Sequence, residues 1–487
     1  MREMSQPVAP SVTPPLSSPP TSSVEIAPSI RAVIGDPGRP HASLPANTEI
    51  GHLPGQSGLV AGMRNLFGVT RHGVDHLRAQ VARYGKVYRH SFGPMQIVWV
   101  ADPELLSEIT RNEGKTWSAA LGWRLLFDGI DQSRPYVDSP ALLDFEPHKD
   151  IRRLLQPGFG AAAVDGYIDT TVELVEPAVE RWLAAGRVSF KAEARRLFAT
   201  IANRIFLGAS DPAEVAVLDR SMADFWKGPL AISHRTWLSP TWRRAVRGYA
   251  RLRDMLRAQV LERRASERTD LFSRVCRVAP EIGWVDDAAL VSCYLGVMAA
   301  AFDTTSVAVT SMAYALATHP EWQDRLAAEA LAQSGPVTTE SLKNLELCDR
   351  AWRETLRRYP VAVDLPRRPL RDVELGGHRI PMGAMVLALT GPLHFDPEVW
   401  TDPDAFDPDR FSPARAEDRR RRGAYFPFGA GAHACIGAQL STMESKAFWQ
   451  ILLRRARIRL ARPYVARHEV TPLGCVSGKV ELIVEPR

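Results

Sequence analysis

Hydrophobic spacing divides the chain into a short stretch without period and a long stretch that has one. Residues 1–48 show neither helical nor strand periodicity, and prolines such as Pro14-Pro15 and Pro19-Pro20 break each apolar run. This predicts a disordered Pro/Ser-rich N-terminal tail over 1–48. From 49 to 487 the periodicity is sustained. Alternating apolar positions over 85–93 and again over 95–100 predict a β-hairpin. Helical spacing then prevails over residues 141–359, and short strand-like runs return at 373–375, 385–389 and 480–484. The expected class is mainly α with small β-sheets. No repeat and no flexible linker divides residues 49–487, so one large domain is expected there.

Residues 286–318 read as one helix of about 50 Å, with aspartates at its start and His319-Pro320 at its end. Its middle, Ala299-Ala300-Ala301-Phe302-Asp303-Thr304-Thr305, places an acid and two hydroxyls in an apolar run. Burying them is costly unless they are bonded or serve chemistry. A bond from Thr304 back to the Ala300 carbonyl would satisfy the plainer reading. Further on, Gly429, Gly431 and Gly437 surround Cys435, and apolar spacing at Leu440, Met443, Ala447 and Ile451 then predicts a helix. A cysteine at a helix N-terminus is favoured as thiolate, the form that binds metal; the alternative is a small buried hydrophobe. Glu354 and Arg357 stand three apart before the helix-stopping Pro360, and His148 and Arg152 stand four apart, so each pair shares a helical face.

The composition narrows the classes. Hydrophobic residues make up 45% and charged residues 24% of 487, a globular balance. The net charge of +6 is spread over scattered arginines rather than a dense module, so no nucleic-acid partner is expected. Five cysteines without a CxxC pair fit a reducing, cytoplasmic setting. His72 and His76 have zinc spacing but no paired thiols nearby. The longest apolar window, 291–301, runs into Asp303, so no transmembrane anchor is expected.

The segment Phe428-Gly-Ala-Gly-Ala-His-Ala-Cys-Ile-Gly437 resembles the haem-binding loop of the cytochrome P-450 superfamily, Phe-x-x-Gly-x-x-x-Cys-x-Gly. The resemblance implies a triangular-prism-like fold with haem b (iron protoporphyrin IX) between a long distal helix and the proximal Cys-loop helix. Cys435 is then the iron ligand, with Phe428, Gly429, Gly437 and Ala300 at the cofactor and His148, Arg152, Arg367 and His433 on its propionates. Many members carry Arg where His433 stands. Glu354 and Arg357, about eighty residues before Cys435, are similar to the family's Glu-x-x-Arg, and Arg410 lies in a meander-like Asp407-Pro-Asp-Arg-Phe; together they imply a structural network. Asp303 and Thr304 resemble the acid-alcohol proton relay for O2 activation, with Ala301 where Gly is frequent.

The same resemblance implies a monooxygenase that hydroxylates or epoxidises a lipophilic molecule: sterol, terpenoid, fatty acid or polyketide. Electrons would come from a ferredoxin or flavodoxin with its reductase, docked on Arg419 to Arg422 and Arg153. The pocket would be lined by Trp123, Leu126, Ala299, Phe302, Val361, Val363 and Val476. A peroxide-dependent peroxygenase, a haem-thiolate isomerase and a haem sensor or carrier are the alternatives.

Overall fold

A computed structural model describes residues 49–487 except 94, 128, 134–138, 232, 282, 285 and 471–472. The tail expected at 1–48 lies outside the described residues. Seven helices build the site: α1 (Leu59–Tyr84), α2 (Ala119–Phe127), α3 (Phe145–Leu155), α4 (Phe190–Leu207), α5 (Asp287–Thr318), α6 (Glu346–Arg358) and α7 (Ala438–Arg455). A six-stranded sheet flanks them, made of β1 (Gly55–Gln56), β2 (Val87–Phe92), β3 (Met95–Val100), β4 (Trp117–Ser118), β5 (Asp364–Pro369) and β6 (Val386–Leu389). Its order is β1-β2-β3-β6-β5-β4. The expected hairpin is β2–β3, antiparallel with Val87 opposite Val100.

α5 organises the molecule. Asp286 caps it, its Oδ1 accepting the N–H groups of Ala288 (2.9 Å) and Ala289 (3.1 Å), and Pro320 prevents its continuation. By length and composition it could cross a membrane, with an 18-residue window of mean hydropathy 1.4, so the sequence reading of no such window is corrected. Within the fold, 67% of that window is buried, which makes α5 the core helix rather than a surface element. A main core surrounds it through residues such as Leu290, Tyr294, Val309 and Met312, joined by Phe448 and Trp449 of α7. A second core lies under the sheet around Val98, Val100, Leu106, Ile109 and Val386.

Candidate haem site

The loop before α7 is closed by its own backbone: the Cys435 N–H donates to the Phe428 carbonyl (2.8 Å) and the Gly429 N–H to the Phe426 carbonyl (3.2 Å). Gly431 is irreplaceable there, because its φ is +68° and a Cβ would lie 1.9 Å from the Thr110 carbonyl oxygen. At Gly437 a Cβ would meet only Cys435 Sγ at 3.9 Å and Phe159 at 4.0 Å. Protein packing therefore does not demand glycine at that position. Phe428 packs against the main core beside the loop.

Cys435 stands two residues before Gly437, the N-cap of α7, rather than on the helix itself. Burial pushes its thiol above the ordinary value, against the opposing influence of the Gly437 N–H and the Arg152 charge. The expected helix-terminus stabilisation of thiolate thus loses to desolvation in the protein alone. Metal coordination reverses that balance by deprotonating the thiol outright. Protein encloses Cys435 on nearly every side, yet its side chain remains accessible, so it faces an internal cleft.

Four basic side chains gather at one edge of this cleft. His148 and His433 face each other with ring centroids 3.9 Å apart, Arg152 donates to the Ala434 carbonyl (2.9 Å), and the buried Arg367 donates to the Pro366 carbonyl (2.8 Å). Burial, then the charges of His433 and Arg152, push the His148 ring down to about 3. Burial likewise pushes Arg367 down to about 10. One acid sits among them, Asp144, which the sequence reading did not single out; His433 Nε2 lies 3.4 Å from its Oδ1. Burial works against its charge, but hydrogen bonds from His433 and Ser118 hold the carboxyl below its usual range. The guanidinium groups of Arg152 and Arg367 outnumber the one carboxylate among them, and a positive excess in so enclosed a place calls for a further anion.

The opposite wall is α5. In the middle of this largely buried helix, Gly296, Ala300, Ala301, Asp303, Thr304 and Val307 keep accessible surface at helical spacing. Ala299 and Phe302 point into the core instead, at 6% and 3% exposure. Thr304 Oγ1 donates to the Ala300 carbonyl (2.9 Å), and Asp303 is held by Arg195 of α4, Nε to Oδ1 2.8 Å. Arg195 also covers the Phe302 ring (5.4 Å). α5 and α7 touch where Thr305 Oγ1 donates to Ser441 Oγ (3.3 Å).

Beside that contact lies Glu444, a buried acid that sequence reasoning passed over. Burial pushes its carboxyl up to about 8, with the Thr305 hydrogen bond opposing. The folded protein therefore holds a proton that the unfolded chain releases near the ordinary glutamate value. This contribution is present in full at acid pH and is lost as pH rises from there through about 8. Glu444→Gln is expected to remove that decline: its melting temperature should match the parent at acid pH and exceed it at alkaline pH. Parallel melting curves at every pH would refute the assignment.

Behind the proximal face, α6 carries a wholly buried charge network. Glu354 Oε2 receives Arg357 Nε (2.7 Å), Glu354 Oε1 receives Arg410 Nε (3.0 Å), and Arg410 Nη1 reaches Glu417 Oε2 (2.9 Å), all at 0% exposure. Glu417 is the member that the sequence did not reveal.

The pocket expectations divide. Trp123, Leu126 and Val361 keep accessible surface. Val363 at 4% and Val476 at 0% are packed into the cores, as are Ala299 and Phe302. The arginine run is also less free than expected. Arg420 bonds Glu417 and the Val399 carbonyl, and Arg421 bonds Glu104 and Glu398. Arg153 pairs with Asp150 at 3.4 Å. No cluster of three potential metal ligands occurs among the described residues, and His76 bonds Asn65 (2.8 Å).

An accessible thiol, small residues with accessible surface on α5, and basic side chains gathered beside the loop suit a flat anionic macrocycle whose metal takes sulfur as ligand. The cytochrome P-450 family model matches residues 55–464. The chain belongs to the cytochrome P-450 family, and haem is its cofactor. It is 31% identical over 456 residues to cytochrome P-450 136 of Mycobacterium tuberculosis, covering 92% of this chain and 91% of that protein. It is 28% identical over 433 residues to the cyclooctat-9-en-7-ol 5-monooxygenase of Streptomyces melanosporofaciens, covering 84% and 90%. A solved cyanobacterial member with retinoic acid bound shares the fold, with TM-score 0.78 at 21% identity over 87% of this chain and 96% of that one. The residues present fit haem: Cys435 would hold the iron, and His148, Arg152, Arg367 and His433 would meet the carboxylates.

Proposed function

We propose that this chain is an O2-dependent haem-thiolate monooxygenase that hydroxylates or epoxidises a lipophilic small molecule, with electrons from a ferredoxin or flavodoxin and its reductase. The observation that carries the reading is the acid-alcohol pair Asp303–Thr304 on the helix facing Cys435, with the Thr304 hydroxyl on the accessible stripe. When bound, haem supplies the centre at which O2 is reduced and one oxygen atom is inserted into the substrate. Cys435 would hold the group through sulfur and lend it electron density. The basic cluster orients its carboxylate edge. Thr304 presents a hydroxyl on the accessible stripe of α5 and would give up its bond to the Ala300 carbonyl when it donates a proton. Asp303, anchored on Arg195, refills the Thr304 hydroxyl with a proton drawn from the solvent side. Arg419 and Arg422, for which the described residues supply no ion pair, are the residues of the arginine run left for docking an acidic electron donor.

Turnover with isotopically labelled O2 tests this reading. Label in the product, dependent on a ferredoxin system, is expected. Product formed from peroxide alone, with none from the reductant and O2, would assign the site to a peroxygenase instead.

A further inference from the structure

Asp364 is a carboxyl group enclosed by protein without a partner. It has no hydrogen bond and no ion pair among the described residues, although it lies deep within the protein. It nonetheless retains accessible surface, the same combination that marks Cys435 as facing the internal cleft. Accessible surface recurs along this stretch at Val361, Ala362, Asp364 and Leu365, and only Val363 is packed into the core, at 4%.

The surroundings place that stretch on the substrate side. The Val361 carbonyl accepts the Gly474 N–H (2.8 Å), and the short strand Gly474–Val476 packs along α5. Three residues further along β5, about 10 Å at strand rise, Arg367 stands beside Asp144 at the basic edge. The segment 361–367 thus runs from the α5 wall to the propionate cluster, with Asp364 between them. Burial pushes the Asp364 carboxyl up to about 6, and no neighbouring charge relieves it. At neutral pH it is largely ionised, and a buried anion without a partner is a costly feature to keep.

We propose that Asp364 is a specificity residue of the cleft, and that the substrates are lipophilic molecules bearing a cationic nitrogen, seated on this carboxylate with the hydrocarbon body along the α5 stripe. The inference rests on the monooxygenase reading and narrows it. Neutral lipids lose the ion pair, and fatty-acid carboxylates are repelled from this position.

The test uses the full-length haem-loaded chain and three probes of one chain length: decyltrimethylammonium, its neutral tert-butyl isostere, and decanoate. The quaternary cation has a fixed charge and no lone pair for iron. Affinities are read by equilibrium dialysis and by the shift of the haem absorption band. The cation should bind roughly tenfold or more tightly than the neutral isostere, and decanoate weakest. Asp364→Asn and Asp364→Leu should each erase the cation's advantage while the neutral probe binds as before. Equal affinity for cation and neutral probe in the parent protein, or an advantage that survives both variants, overturns the proposal. Variants that shed haem with the cation preference unchanged also overturn it, assigning the carboxyl to the cofactor. Failure of the parent protein to give a thiolate-type spectrum would instead strike the monooxygenase reading.

Discussion

Arg357→Ala is expected to lower the unfolding free energy by about 3–5 kcal/mol, measured by chemical denaturation, with a matching fall in soluble haem-loaded protein. Arg357 makes two bonds to Glu354 and donates to the carbonyls of His394 (2.6 Å), Pro403 (2.9 Å) and Ala405 (3.1 Å), all without solvent access to its side chain. Removing it leaves an uncompensated charge and several carbonyls without donors, deep behind the cysteine loop. Arg357→Lys should recover little, because a single ammonium cannot span both carboxylate oxygens and three carbonyls. A loss below about 1 kcal/mol, the scale of an exposed pair, would contradict the network's structural role.

The second large effect concerns proton supply. Thr304→Ala is expected to leave haem binding and substrate affinity intact while cutting product formation on the order of a hundredfold, the usual worth of a positioned proton donor. O2 consumption should continue, with peroxide appearing in place of product. Asp303→Asn should slow turnover as a whole, since the amide keeps a contact with Arg195 but carries no exchangeable acid proton. Product yield per O2 that is unchanged in Thr304→Ala would remove this residue from the proposed relay.

Much of the architecture was legible because it rests on local signals. The aspartate cap and Pro320 bracket α5, the glycines around Cys435 mark a turn that side chains would obstruct, and the spacing of Glu354 and Arg357 puts them on one face. Partners brought in by the fold were not legible. Glu417 stands among charged residues that read as a solvated run, and burial against Arg410 appears only in three dimensions. Asp144, Arg195, Glu444 and Asp364 likewise derive their settings from residues distant in sequence. The phase of the pocket face was lost for a related reason. A helix buried on almost every side gives no polar face by which to orient it, so Ala299 and Phe302, which are packed into the core, were assigned to the cleft beside Ala300 and Thr304, which keep accessible surface. On the 361–365 segment only Val363 turns into the core while Val361, Ala362, Asp364 and Leu365 keep accessible surface, and outside a regular strand no fixed alternation separates them in the sequence.

The central claim, a haem held by the Cys435 thiolate, is tested most directly by the absorption spectrum of the dithionite-reduced protein under CO, recorded beside Cys435→Ser. A strongly red-shifted Soret band that the substitution abolishes is the predicted result. A band that persists in Cys435→Ser, or well-folded parent protein that cannot be loaded with haem, would contradict it.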